Sequence, residues 1–149
     1  MILDLRKTAR SGKEKESFFF LYEPKEELSS IPEVKVVLPV KIEGTMTLTG
    51  EHSCLIDGEV CFSLKGECTR CLKETEREYV VSFSEECSAD GYGYPVVSDK
   101  VDLSKITDDL IVTNLPLNFL CKEDCKGLCP KCGKDLNNGE CGCVSINEK

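Results

Sequence analysis

The chain has 149 residues, of which 40% are hydrophobic and 31% charged, and its formal net charge is -8. This composition is that of an ordinary globular domain, and it excludes a disordered chain and an integral membrane protein, because the longest apolar runs are far too short to span a bilayer. The acidic net charge also argues against a protein that coats nucleic acid without specificity, because such a protein needs a concentrated supply of Lys and Arg.

Two segments of the chain carry a local excess of positive charge. Residues 1–15 contain five Lys and Arg against two acidic residues, and residues 121–134 contain four Lys against two acidic residues. Basic patches on an acidic body favour a protein partner, or a ribonucleoprotein that is contacted at selected points. Solvated lysines without a partner explain the pattern equally well. The first residues lack the apolar run of a secretory signal, so we expect a cytoplasmic protein.

Residues 34–48 alternate between apolar and polar side chains. This period of two predicts a half-buried strand, and Pro39 and Gly44 predict that the strand bends or breaks near them. The dipeptide Asp57-Gly58 is typical of a hairpin turn, and the alternation resumes behind it. Together these patterns predict the first strands of a β-meander.

Two further patterns follow along the chain. Apolar residues at alternate positions over 79–83 add a strand, so the predicted antiparallel sheet covers residues 17–87. Residues 88–98 are rich in Gly, Ser, Asp and Pro, which predicts an irregular loop.

The chain then changes character twice. Asp102 or Ser104 can cap a short helix over 102–115. The segment 121–143 is a cysteine-rich tail. We therefore predict a single domain over 1–149 of the α+β class, mainly β, with a twisted antiparallel sheet, a short helix and a C-terminal zinc-binding tail.

The cysteine content indicates metal binding. Eleven cysteines are present, an odd number, and six of them fall between Cys121 and Cys143. In a chain without a secretory signal, Cys-x-x-Cys spacings indicate thiolate metal ligands more often than disulfides. Tetrahedral four-thiolate sites suit both zinc and iron, and zinc is preferred because the spacing does not follow that of ferredoxins.

The first predicted site lies in the tail. Residues 129–133 read Cys-Pro-Lys-Cys-Gly, which is the form of a zinc knuckle: two thiolates three positions apart bind one ion, and the glycine permits the turn. Cys141 and Cys143 can complete a site with four cysteine ligands. A Cys-x-Cys pair is geometrically less comfortable than Cys-x-x-Cys, so Cys125 is the substitute for one of them.

The second predicted site uses the Cys-x-x-Cys pair between two predicted strands. Cys68 and Cys71 cannot close a four-ligand site alone, and Cys121 and Cys125 are their natural complement. Such a site would fix the tail to the sheet. A free or disulfide-bonded pair is the alternative. The remaining cysteines are expected to be small buried hydrophobes without a role; they are Cys54, Cys61 and Cys87.

We expect a protein that is not an enzyme and has no small-molecule substrate. His52 is the only histidine, and its neighbours fit neither a metalloprotease nor a zinc deaminase motif. A lone histidine near a turn is expected to be structural or exposed. The alternative from another class is a thiol–disulfide enzyme that uses Cys68 and Cys71. Arg70 supplies a cation for it, but the flanking strands do not form the usual βαβ setting.

The same residues resemble the YceD family, bacterial proteins described as large ribosomal RNA subunit accumulation proteins. The resemblance is carried by Glu67-Cys68-Thr69-Arg70-Cys71-Leu72, by Asp124-Cys125-Lys126-Gly127-Leu128-Cys129-Pro130-Lys131-Cys132-Gly133-Lys134-Asp135-Leu136-Asn137 and by Cys141-Gly142-Cys143. It implies a role in the accumulation or processing of large-subunit ribosomal RNA, and it supplies no catalytic residues. Some members lack the C-terminal cysteines, which implies that zinc stabilises the tail and is not the shared activity.

The resemblance implies ribosomal RNA or a pre-ribosomal protein as the partner. If the chain contacts RNA directly, the expected contacts are the basic residues Arg6, Lys7, Arg10, Lys122, Lys126, Lys131 and Lys134. Affinity through such contacts should fall steeply with salt. The alternative function is that of a generic zinc-binding protein-interaction module unrelated to ribosomes.

Overall fold

The computed structural model describes residues 1–91 and 93–143 and shows a mainly β molecule with two helices in that part of the chain. The elements in chain order are β1 (Ile2–Asp4), α1 (Leu5–Arg10), β2 (Lys15–Tyr22), β3 (Val34–Gly50), β4 (Ser53–Glu67), β5 (Glu74–Ser88), β6 (Tyr94–Pro95), β7 (Lys100–Asp102), α2 (Leu103–Thr113) and one turn of 3-10 helix (Leu136–Asn138). The predicted fold class, α+β with a dominant antiparallel sheet, is confirmed.

The larger sheet has five strands in the order β2-β3-β4-β5-β6. β2, β3, β4 and β5 pair with their neighbours in antiparallel fashion, and the short β6 pairs with β5 in parallel. β1 and β7 form a separate antiparallel pair. Since β3, β4 and β5 are each 15 residues or longer, they form a long ladder with two distant ends.

The hydrophobic core lies on one face of the large sheet, where α2 packs. Alternate residues of β4 and three apolar residues of α2 are fully buried; they are Cys54, Ile56, Val60, Leu64, Leu103, Ile106 and Ile111. The Asp102 carboxylate caps α2 by accepting a hydrogen bond from the Ser104 backbone N–H at 2.9 Å. An apolar stripe and an acidic cap therefore account for this helix.

The prediction of a turn at Asp57-Gly58 is wrong. Both residues lie in the middle of β4, and the chain reverses instead between Gly50 and Ser53, which are paired residues at the ends of β3 and β4. A Cβ atom on Gly58 would lie 2.5 Å from the Glu43 carbonyl oxygen and 3.1 Å from the Phe83 ring. Gly58 is thus required by close packing between strands and not by a turn.

The predicted irregularity near Pro39 is present, because the register between β3 and β4 shifts between Val37 and Lys41, as at a bulge. No break occurs at Gly44, where β3 continues in register with β4. Leu38, which the alternation placed among the inward-facing residues, is 50% exposed at the irregularity near Pro39.

The loop expected over residues 88–98 contains β6, and the basic N-terminal segment, to which the sequence assigned no structure, forms β1 and α1. The helix expected over 102–115 is α2. Neither helix in the described ranges has the length and apolarity needed to cross a membrane.

Candidate metal centres

The first group of cysteines lies at the turn between β4 and β5. We call this group the sheet-end cluster; its members are Cys68, Cys71, Cys121 and Cys125. Two of them come from the turn itself, and two come from the chain beyond α2. The turn and the chain beyond α2 are joined by a hydrogen bond from the Thr69 backbone N–H to the Phe119 carbonyl oxygen at 2.8 Å. The Arg70 guanidinium also donates to the Cys125 carbonyl oxygen at 2.9 Å.

The second group, which we call the tail cluster, lies entirely in the C-terminal segment and comprises Cys129, Cys132, Cys141 and Cys143. In both groups the four Sγ atoms lie within 4.8 Å of one another. Three members of the sheet-end cluster are buried, whereas Cys129 alone is buried in the tail cluster and Cys132 is exposed. The tail cluster is therefore more accessible to solvent.

The sulfur distances suit a tetrahedral metal ion. The Sγ atoms of Cys68 and Cys125 are 3.7 Å apart, as are those of Cys71 and Cys121. Four sulfurs at about 2.3 Å from one zinc ion lie about 3.8 Å from each other. A disulfide would require a separation of about 2.0 Å. The described geometry is thus that of ligands arranged around an ion, and all four thiols are free.

The two Cys-x-x-Cys turns share one local backbone geometry. The Cys68 backbone N–H donates to the Lys73 carbonyl oxygen at 2.9 Å, and the Leu72 backbone N–H donates back to the Cys68 carbonyl oxygen at 2.9 Å. In the tail, the Cys129 backbone N–H donates to the Lys134 carbonyl oxygen and the Gly133 backbone N–H to the Cys129 carbonyl oxygen, both at 2.8 Å.

Both turns place the residue after the second cysteine in the left-handed region, with φ of 59° at Leu72 and 73° at Gly133. Glycine adopts this conformation without steric cost and leucine does not. The turn at the sheet end is therefore maintained by its surroundings despite an unfavourable residue.

Backbone donors make one thiol of each cluster more acidic. Burial by itself raises the pKa of Cys68. Hydrogen bonds from the backbone N–H groups of Cys71, Cys121 and Arg70 outweigh this effect and lower the pKa to about 6. Backbone N–H groups of Cys132 and Lys131 likewise lower the pKa of Cys129 to about 6.

Cys121 and Cys143 ionise less readily than ordinary thiols. Burial, followed by contacts with neighbouring thiols, raises the pKa of Cys121 to about 12. Hydrogen bonds with the Cys132 and Cys141 side chains raise that of Cys143 to about 12 as well. A cluster of four thiolates is therefore stable only around a cation, which is the chemistry of a metal-binding site.

Asn137, which the sequence did not single out, connects the two clusters. Its side-chain amide donates to the Cys125 Sγ at 3.4 Å, and its Oδ1 accepts from the Lys126 backbone N–H at 3.0 Å. Asp135 fixes Asn137 in turn by accepting from its backbone N–H at 2.9 Å. Asp-x-Asn is a common turn pattern, so the sequence carried a signal for the turn but none for the sulfur that the amide contacts.

The cysteines to which the sequence assigned no role lie away from both clusters. Cys54 and Cys87 are fully buried and are paired residues on β4 and β5. Cys61 is half-buried on the opposite face of the sheet.

The basic residues named from the sequence lie at opposite ends of the large sheet. Arg6, Lys7 and Arg10 are exposed on α1, near the β3–β4 turn, whereas the four tail lysines lie among the cysteines of the two clusters. β4 alone separates the two ends by 15 residues, or up to about 50 Å at about 3.3 Å per residue. One compact ligand therefore cannot contact both sets.

His52 takes part in a charged network at the end of the sheet that carries α1. Its Nδ1 lies 2.5 Å from the buried Asp99 carboxylate, which also lies 2.5 Å from the Arg6 Nε. The Asp99 hydrogen bond raises the pKa of His52, and the same bond lowers that of Asp99. The expectation of a structural or exposed histidine agrees with this position, at which the side chain is 54% exposed.

The fold and the two clusters define the class of molecule: a mainly β domain with a cysteine-rich C-terminal segment that can bind metal. The model of the family described as large ribosomal RNA subunit accumulation protein YceD matches residues 56–149. The chain belongs to the YceD family. The matched part begins within β4 and includes both clusters, and it excludes α1 and its basic residues.

Several curated proteins are similar to the chain over parts of its length. An uncharacterized protein of Mycobacterium tuberculosis is 32% identical over 92 residues, which cover 55% of this chain and 44% of that protein. The large ribosomal RNA subunit accumulation protein YCED homolog 1, chloroplastic, of Arabidopsis thaliana is 36% identical over 50 residues, covering 34% of this chain and 16% of that protein.

The Zea mays protein of the same name is 36% identical over 55 residues, covering 36% of this chain and 19% of the relative. The chain thus spans less than half the length of the curated relatives it matches. No solved structure matches the chain.

Proposed function

We propose that this chain supports the accumulation of large-subunit ribosomal RNA in the cytoplasm as a non-catalytic protein that contains structural zinc. The observation that carries the proposal is the family match over residues 56–149, which includes both cysteine clusters. Two relatives carry the words large ribosomal RNA subunit accumulation protein in their names. The proposed partner is ribosomal RNA or a pre-ribosomal protein.

Zinc is the proposed ion because the donor sets consist of thiolates alone. Four cysteines in a tetrahedral arrangement, with no position open to water, are typical of structural zinc. The proposed ligands of one ion are Cys68, Cys71, Cys121 and Cys125, and those of the other are Cys129, Cys132, Cys141 and Cys143. Iron accepts the same donors, but the spacing is not that of a ferredoxin.

The proposed role of the sheet-end ion is to fix the tail to the sheet. Its ligands join the β4–β5 turn to a segment about 50 residues further along the chain. Two of these ligands also lie close to the hydrogen bonds of Arg70 and Thr69. The tail ion would in turn hold the segment that carries Asn137, whose amide contacts the first cluster.

The lowered pKa of Cys68 also suits the thiol–disulfide alternative. That alternative requires Cys68 and Cys71 to react with each other, whereas their Sγ atoms lie 3.7 Å from those of Cys125 and Cys121, respectively. We therefore assign the acidity of Cys68 to metal ligation. Disulfide exchange by the zinc-loaded protein, abolished in Cys68→Ser, would instead favour the redox function.

Direct RNA contact, if it occurs, is proposed to use two separate basic regions. Lys7, Arg10 and Lys100 surround an open depression beside α1, and Lys126 and Lys134 are exposed in the tail. Arg6 also forms an ion pair with Asp99, so its substitution would disturb the fold as well as any RNA contact.

The test is a complementation experiment in cells that lack this chain. The ratio of large-subunit to small-subunit ribosomal RNA is measured without the protein, with wild type and with charge-reversal variants. We expect loss of the protein to lower the ratio and wild type to restore it. An unchanged ratio in the cells without the protein would contradict the proposed function.

The contact assignment has its own test in the same cells. Lys7→Glu/Arg10→Glu and Lys126→Glu/Lys134→Glu are compared with Lys25→Glu/Lys35→Glu, which changes the charge equally at exposed positions outside both regions. We expect each of the first two pairs to weaken association with ribosomal particles. Equal association of all three variants and wild type would overturn the contacts but not the rRNA role.

A further inference from the structure

The outer edge of β5 carries the clearest unassigned surface of the molecule. β5 pairs with β4 along its entire length, from Glu74 to Ser88. On its other side it pairs with β6 only at Cys87 and Ser88. Among residues 1–91 and 93–143, no strand pairs with the outer edge over residues 74–85.

A free strand edge presents backbone N–H and C=O groups that an added strand can pair with. Residues 74–85 extend about 40 Å at about 3.3 Å per residue, which is long enough for an added strand of nine residues. Proteins usually shorten or cover such an edge, because it invites association with other chains. An edge of this length is therefore expected either to bind a partner strand or to carry side chains that prevent pairing with other chains.

The side chains along this edge define the chemistry of a partner. On the outer face the exposed residues are Glu74, Glu76, Glu78, Val80, Ser82 and Ser84. Residues 74–86 contain five glutamates against one arginine. Because opposite charges on neighbouring strands attract and like charges repel, this face selects Lys and Arg on an added strand.

The inner face of the same edge is apolar in its middle. Tyr79 and Val81 are half-buried there, and the Tyr79 ring stacks on Phe62 with ring centroids 5.5 Å apart. An added strand that alternates basic and apolar residues can thus place its charges beside the glutamates and its apolar side chains beside Tyr79 and Val81.

A second copy of this chain does not fit the edge. A second β5 edge carries the same excess of glutamates over basic residues, so it offers no row of Lys and Arg to pair with this face. The phosphates of RNA would be repelled by the same residues. The opposite edge of the sheet, β2, exposes Phe19 and Leu21 and has no comparable acidic row.

We propose that the free edge of β5, over residues 74–85, binds an extended basic segment of another protein as an additional strand. The segment alternates Lys or Arg with apolar residues. Backbone hydrogen bonds supply the affinity, and Glu76 and Glu78 supply the charge selection. This inference does not depend on the proposed role in rRNA accumulation.

The test uses a synthetic nine-residue peptide of alternating Lys and Val, labelled with a fluorophore, and the 149-residue chain supplied with zinc. Fluorescence anisotropy reports binding. We expect Glu76→Lys/Glu78→Lys to weaken binding at least about tenfold, because two attractions become repulsions. Glu23→Lys/Glu26→Lys makes the same charge change at exposed positions away from β5 and should bind like wild type.

A second peptide separates strand pairing from general attraction between charges. It has the same sequence with methyl groups on alternate backbone nitrogens, so it keeps its charge and loses hydrogen-bond donors. We expect its binding to be lost, and we expect the unmodified peptide to slow amide exchange in β5.

Equal binding of the two peptides, or of the Glu76→Lys/Glu78→Lys variant and wild type, would overturn the proposal. So would the absence of binding, dimerisation through β5, or protection of β2 in place of β5. Circular dichroism of each variant verifies that the sheet is intact, and the methylated peptide tests the proposal on unaltered protein.

Discussion

At the scale of single residues, Asn137 joins the tail to a cluster of which it is not a member. Its amide nitrogen lies 3.4 Å from the Cys125 Sγ, although Asn137 itself lies between Cys132 and Cys141 of the tail cluster. A hydrogen bond to a ligating sulfur orients the ligand and disperses its charge. The tail segment thereby acts on the sheet-end cluster.

We expect Asn137→Ala to weaken zinc binding at the sheet-end cluster by about 10- to 100-fold, the usual effect of removing a hydrogen bond to a metal ligand. Competition with a chromophoric chelator measures this, and one of the two ions should be released more readily. Asn138→Ala is the matched control, because the Asn138 side chain contacts Asp135 and no sulfur. Identical release curves for the two variants would contradict the role of Asn137.

The network of His52, Asp99 and Arg6 predicts a pH dependence of stability. The pKa of His52 is raised above its ordinary value of 6.5, so its contribution is complete below about 6.5 and is lost as pH rises through the folded-state pKa. The pKa of Asp99 is lowered below 3.8, so its contribution is present above about 3.8 and is lost as pH falls through the folded-state pKa. The network is therefore strongest between about pH 4 and 6.5.

We expect His52→Gln to lower the Tm more at pH 5.5 than at pH 9, because the charged histidine exists only at the lower pH. Thermal denaturation at both pH values measures the difference. In an Asp99→Asn background the pH dependence of the same substitution should shrink to the part due to Glu51, whose carboxylate lies 4.0 Å from the His52 Nε2. A Tm difference that is equal at both pH values in the wild-type background would show that the ion pair does not contribute.

At the scale of elements, Gly44 and Gly58 face each other and let β3 and β4 pair without a break. A Cβ atom on Gly44 would lie 2.2 Å from the Asp57 carbonyl oxygen and 2.9 Å from the Phe18 ring. The aromatic rings of Phe18 and Phe83 cover the glycines from neighbouring strands. Because neither glycine has a side chain, the neighbouring backbone and the phenylalanine rings can approach closely at the centre of the sheet.

Gly44→Ala is expected to lower the free energy of unfolding by about 1–3 kcal/mol, the range for overpacked sites. Denaturant titration measures it. Gly142→Ala is a suitable control, since a Cβ atom there meets nothing within 4 Å and its φ is not positive. Equal free energies of unfolding for the two variants would contradict the tight packing inferred at Gly44.

At the scale of the whole molecule, the chain consists of a sheet that folds around a hydrophobic core and a tail whose cysteines can bind metal. Apolar residues of β3, β4 and α2 are buried together in one hydrophobic core. The tail has few buried apolar residues other than its cysteines. A thiolate site forms only when its ligands are brought together, so binding of the ion and ordering of the tail are coupled.

We expect two zinc ions per chain by elemental mass spectrometry, and one in either Cys71→Ser or Cys132→Ser. Complete removal of the metal should speed amide exchange over residues 121–143 and leave exchange in β3 and β4 largely unchanged. Unchanged exchange in the tail after metal removal would refute the structural role of the ions.

Much of this arrangement followed from local sequence patterns. The Cys-x-x-Cys turns depend on hydrogen bonds between residues four and five positions apart, so the amino acids at those positions suffice to predict them. The alternation over 34–48 predicts a strand for the same reason, since every second residue faces the same side. The prediction of a turn at Asp57-Gly58 failed because a turn dipeptide and a close approach between strands both require glycine.

The sequence by itself determined the mainly β class, the two cysteine turns and the family. Only the tertiary structure decided that four sulfurs from segments about 50 residues apart lie within 4.8 Å, that Asn137 contacts one of them, and that the basic residues occupy opposite ends of the sheet. Within residues 1–91 and 93–143 it also leaves the outer edge of β5 unpaired over 74–85. Local patterns specify how neighbours along the chain hydrogen-bond, whereas contacts between distant segments depend on how the whole core packs.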